Sequence, residues 1–143
     1  MSVLAIDPRD RFFAMAKGPL VFGRNDCAAT AATLLAAAGR GDPFARWRGR
    51  YTTLRGFVRI IRRAGYSSLA EAVAGTAADM GWPEIDPAER QDMDLGLCRV
   101  VGPAAGATFG AEAPGIAHGA FWLVRTDVGG RLEPFAVRAW RTG

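Results

Sequence analysis

The feature that most constrains this chain is a change in hydrophobic period near residue 90. Before it, apolar residues recur at helical spacing: Leu54, Phe57, Val58 and Ile61 follow i, i+3, i+4, i+7 and mark one apolar face. After it, "LGLCRVV" (95–101), "GIAHGAFWLVRT" (115–126) and "RLEPFAVRAW" (131–140) alternate and are rich in β-formers. Helices first and strands afterwards give an α+β order, with N-terminal helices packed on a C-terminal antiparallel sheet. The chain has 143 residues, 50% hydrophobic and 22% charged, which is enough for one domain to bury a core without a metal or disulfide.

Local signals place the elements. "DPRDRFFAMAKGPL" predicts a short helix with Phe12, Phe13 and Met15 as apolar contacts, stopped by Gly18-Pro19. Asn25 or Asp26 caps a helix over about 27–38, ended by Gly39. Its Ala28, Ala29, Ala31 and Ala32 permit close approach, and Leu34 and Leu35 supply bulk. Thr52 is expected to cap the next helix, which Gly65 ends. Ser68 and Glu71 fit a capping box for a helix over about 68–80. Pro134 suggests an edge or bulge in a strand that follows the turn "DVGG", and "GATFGAEAPG" reads as a long loop over the sheet.

Several function classes are excluded. "MSVLAIDPRDRFF" has charges where a signal peptide needs an apolar run, and no segment approaches the ~18 apolar residues of a membrane helix. A soluble protein, cytoplasmic when made and without a membrane partner, is expected. Cys27 and Cys98 are too few and too far apart for a disulfide framework, which points to a reducing compartment. There is no Walker loop, dinucleotide fingerprint or zinc spacing, and the single histidine argues against a metal, so no cofactor is expected. The net charge of +4 comes from seventeen arginines and one lysine, with eight arginines between residues 40 and 63. These read as a solvated face, and nucleic acid is not the expected partner. The competing reading, an arginine-rich nucleic-acid-binding module, requires those arginines on one continuous face.

The chemistry-bearing position is Cys27. A catalytic cysteine acts as its thiolate, and a helix N-terminus stabilises that negative charge. Asp26 opposes ionisation, so a partner must outweigh it. His118 is the chain's one histidine and therefore the only candidate imidazole base. The alternative is that Cys27 is a small core residue and His118 a sheet residue without a role. Cys98 reads as a buried small hydrophobe. Asp92 or Asp94 reads as a turn residue. Trp47, Trp82, Trp122 and Trp140 either line a groove or are core and edge aromatics.

The stretches "FGRNDCA", "GRGDPFARWRGRYTT" and "GIAHGAFWLVRTDVGGRLEPFAVRAW" together resemble a family of phage and prophage tail-associated proteins related to the NlpC-type papain-like cysteine peptidases. The resemblance covers nearly the whole chain. It implies a papain-like NlpC-type fold with Cys27 at the nucleophile position. It also implies a cleft to which Asp26, Trp47, Arg50, Tyr51 and Trp122 contribute, with "WRGRY" (47–51) as one wall. Active members of that class have serine after the cysteine, whereas this chain has Ala28. Their His-Val-Gly-Ile-Tyr strand can be laid on "HGAFW", making His118 the base, or on "APGIAHG", putting Ala113 there. In the second register, strand parity is expected to turn His118 away from Cys27. The resemblance thus implies either a catalytically degenerate, structural or assembly-related domain, whose partners are other tail proteins and whose destination is the virion tail, or an active hydrolase of peptidoglycan peptides.

Overall fold

The computed structural model describes residues 7–100, 112–126 and 129–143. Its first helix, α1 (Pro8–Ala16), begins where the sequence offers both start signals: Pro8 stands in the first turn, and the Asp7 carboxylate accepts the Arg9 N–H at 2.8 Å. The second, α2 (Cys27–Ala37), is capped by Asp26, which accepts the Ala29 N–H at 2.8 Å. Its buried residues run from Cys27 to Ala32 and continue at Leu34 and Leu35, so it is enclosed on nearly every side. That enclosure explains the alanines, because α1, the sheet and the following loop must all approach one helix.

Of the next two helices, one starts a residue later than expected, and the other keeps its expected cap without the reciprocal half of the capping box. Thr53, not Thr52, caps α3 (Leu54–Arg63), its Oγ1 accepting the Gly56 N–H at 3.0 Å. Either threonine suits a cap, and the helix boundary decides between them. Ser68 caps α4 (Leu69–Asp79), but Glu71 reaches back to the N–H and Oγ of Ser67 rather than to Ser68. None of the described helices is long and apolar enough to cross a membrane.

Among the described residues six strands form one antiparallel sheet: β1 (Glu84–Ile85), β2 (Leu95–Arg99), β3 (Glu112–His118), β4 (Phe121–Thr126), β5 (Gly129–Glu133) and β6 (Arg138–Trp140). Their order is β1-β6-β2-β3-β4-β5. The expected α+β arrangement is therefore observed, with α2 and α4 packed on β3. The strand boundaries need correction. The segment 115–126, read as one alternating run, is a hairpin broken by a two-residue turn at Gly119, whose φ of 59° suits glycine. The segment 131–140 is two strands: Pro134 cannot donate to a ladder and ends β5, and the chain then crosses to β6 on the other side of β2. The end of the proposed long loop, from Glu112, belongs to β3, and the rest of it lies outside the described residues, as does part of "DVGG".

Register fixes what each sheet face carries. Leu95, Ile116 and Leu123 are paired neighbours, so they share one face with His118, Arg125 and Gly130. A side chain at Gly130 would meet Phe12 and Ala16, so α1 covers this face. The opposite face carries Gly96, Cys98, Gly115, Ala117, Trp122 and Val124. Trp122 lies across Gly96, where a Cβ would strike its ring, and the Arg90 guanidinium lies 5.6 Å from that ring's centroid. Asp92 and Asp94 are turn residues. Asp92 accepts the Gly119 N–H at 2.8 Å, and the buried Asp94 accepts Gln91 N–H, Arg141 Nε and Thr142 N–H.

Candidate functional site

The N-terminus of α2 is a buried polar centre built around Asp26, which is 2% exposed. One carboxylate oxygen accepts the Ala29 N–H at 2.8 Å. The other accepts the Gly23 N–H at 2.8 Å and the Tyr51 hydroxyl at 2.6 Å. The Gly49 N–H donates to the Gly23 carbonyl at 2.9 Å, so the loops before α2 and before α3 are fastened together. "WRGRY" thus lies against the cysteine helix. Within it Trp47 and Tyr51 are buried, and Arg50 is exposed. A second clamp holds the same loop. Asp42 accepts the Phe44 N–H at 2.9 Å and pairs with Arg48 at 2.6 Å, and Arg48 also donates to Thr33 on α2 at 3.1 Å.

Cys27 follows Asp26 and is 6% exposed, buried rather than open to a cleft. Burial pushes its thiol far above the ordinary cysteine range, and the Asp26 carboxylate pushes the same way. The amides of Ala28 and Cys27 and the Arg125 guanidinium act in the opposite direction and are outweighed. At neutral pH the group is a thiol. Tyr51 is also pushed up, by burial first and then by Asp26, so it remains a hydroxyl donor. Cys98, fully buried on the far sheet face, is pushed up to about 12, chiefly by burial.

Arg125 is the functional-looking residue that sequence reasoning passed over, although an arginine inside the apolar strand "FWLVRT" was a visible signal. It is 2% exposed and donates to the carbonyls of Ala16 and Gly18 at the C-terminal end of α1. A cation suits that negative helix end. Asn25 reaches the same end, donating to Met15 O at 3.0 Å and Pro19 O at 3.1 Å. Residues 25–27 therefore sit at the C-terminus of α1.

His118 sits at the other end of that helix. Its Nε2 is 3.7 Å from the Asp7 carboxylate at the α1 N-cap. From Asp7 to Met15 the helix rises about 12 Å, and from Phe121, the partner of His118, to Arg125 the strand rises about 13 Å. The reason for the separation differs from the one parity suggested. The pairings through β3 run without a bulge, and His118 shares the helix-covered face with Arg125. Distance along the strand, not orientation, keeps the imidazole from the thiol. Ala113 is paired with Cys98 and lies on the opposite face. Trp122 is on that opposite face too, and of the four tryptophans only Trp82 is not buried. Asp26, Tyr51 and Cys27 are brought together; His118 and Trp122 are not added to them. No group of three or more His, Cys, Asp or Glu side chains among the described residues is arranged to hold a metal.

Residues 10–142 match the family DUF6950, described as a domain of unknown function, and the chain belongs to that family. No curated protein and no solved structure matches it.

Proposed function

We propose that the chain is a papain-like domain of the NlpC type, associated with phage or prophage tails, that serves assembly rather than peptide cleavage. The succession of helices and antiparallel sheet, and a cysteine opening a helix packed on that sheet, support the fold assignment. The tail association rests on the motif series from Phe22 to Trp140. The observation that carries the non-catalytic reading is the environment of the Cys27 thiol. It is buried, beside a carboxylate and a tyrosine hydroxyl, with the chain's one imidazole at the far end of α1. A Cys–His mechanism needs the base within hydrogen-bond reach of sulfur. Here the Asp26 carboxylate is fully engaged by three donors, and the cluster fastens loops to α2.

The competing reading, an active peptidoglycan-peptide hydrolase, draws on the two amides and Arg125 that favour a thiolate at Cys27. A cleavage assay on peptidoglycan and stem peptides separates the two, using wild type, Cys27→Ala and His118→Ala. The expected result is no turnover by wild type above the Cys27→Ala background. Robust turnover abolished by both substitutions would establish the dyad and reverse the assignment.

A further inference from the structure

The sequence left open whether the arginines form one face. On α3 they do. Arg55, Arg59 and Arg63 stand at i, i+4 and i+8 and are all exposed, with Arg62 exposed beside them. The helix buries Phe57 and Ile61 on its other side, where Phe57 meets Tyr51 edge-on at 4.6 Å between centroids. Arg55, Val58, Arg59, Arg62 and Arg63 line a shallow groove of about 510 Å³. There is no acidic residue anywhere in "LRGFVRIIRR". Arg55, Arg59 and Arg63 take part in none of the ion pairs found among the described residues. This contrasts with Arg48, Arg138 and Arg141, each matched to a carboxylate.

We propose that the exposed α3 face, through Arg55, Arg59 and Arg63, binds the phosphodiester backbone of duplex DNA without reading its sequence. Successive arginines on the stripe rise about 6 Å along the axis, and guanidinium forks match phosphate oxygens in a way that lysine does not. Duplex is favoured over single strand because the face carries no aromatic side chain on which unpaired bases would stack. A membrane surface is disfavoured because the apolar side of α3 is already buried in the protein. No large exposed apolar residue lies on this helix to enter a bilayer. The surface is independent of Cys27 and of the fold assignment.

The test is fluorescence anisotropy with a labelled 20-base-pair duplex of arbitrary sequence, titrated from 50 to 200 mM salt. Wild type is expected to bind in roughly the micromolar to 100 micromolar range, with a log–log salt slope of about −2.7 for three phosphates. The triple variant Arg55→Gln, Arg59→Gln, Arg63→Gln keeps good helix formers, and circular dichroism checks its fold. It should lose roughly tenfold or more in affinity at 50 mM salt, and most of the slope. A charge-matched control, Arg9→Gln, Arg24→Gln, Arg99→Gln, should retain both. An equal loss in the control would show diffuse charge and overturn the proposal. So would tighter binding to the single strand of the same length, or binding to phosphatidylserine vesicles but not to duplex.

Discussion

The Tyr51 hydroxyl donates a 2.6 Å hydrogen bond to the buried Asp26 carboxylate, which also accepts the Gly23 and Ala29 amides. One carboxylate thereby caps α2 and ties two loops to it. Tyr51→Phe removes one of three donors while keeping the ring against Phe57, and should cost about 1–3 kcal/mol in urea unfolding. Asp26→Ala strands all three donors in the interior and should cost more, about 3 kcal/mol or above. Equal, small effects for the two variants would show that the centre contributes little.

Gly23 stands at the other side of that junction with φ at 85°, where side chains are strained. A Cβ there would collide with the Tyr51 carbonyl oxygen, a backbone atom fixed by its own loop. Gly23→Ala should therefore destabilise by about 2 kcal/mol or more, and should weaken the Gly49 N–H bond to Gly23 O, read as faster exchange of the Gly49 amide. Unchanged exchange and stability would contradict the packing described.

The buried thiol gives a pH dependence whose sign is fixed. Cys27 holds its proton in the folded chain at pH values where the unfolded chain, with a cysteine pKa near 8.5, releases it. Its contribution is fully present below about pH 8.5 and declines as pH rises above it, because the unfolded state then binds fewer protons. Stability should fall between about pH 8.5 and 10, and Cys27→Ala should flatten part of that fall. Cys98, pushed up to about 12, contributes in the same direction, so Cys27→Ala with Cys98→Ala should flatten it further. The folded wild type should resist iodoacetamide at pH 8. Rapid alkylation of Cys27 in the folded state would contradict its burial.

Periodicity and caps made the helices and the α+β order readable, because those signals are local: Asp26, Ser68 and the apolar face of α3 all lie where the pattern put them. The strand breaks were less readable. Gly119-Ala120 interrupts a continuous β-forming run, and only the ladder shows that the chain reverses there. The site was partly legible. Asp26 and Tyr51 meet as residues 25 positions apart whose loops flank one helix. The fate of His118 was not legible, because parity tells which face a residue takes and says nothing about how far along the strand a helix end will lie.

Arg125 offers the sharpest test of the α1–α2 corner. Its guanidinium is buried among the Ala16 and Gly18 carbonyls, with Nε left without a partner among the described residues. Burial lowers its pKa, against the pull of Asp26 and Cys27. Arg125→Met fills similar volume but leaves two carbonyls at the end of α1 without their cation. Loss of the two charge-assisted bonds is partly offset by removing a desolvated charge, so a net cost of about 2 kcal/mol is expected. Arg125→Lys, with one ammonium for two carbonyls, should fall between. A general loosening would affect the whole chain alike, but this contact predicts faster amide exchange in α1 than in β2 or β3. Arg125→Met within about 0.5 kcal/mol of wild type, with α1 exchange unaltered, would show that the arginine is not what holds α1 to the sheet.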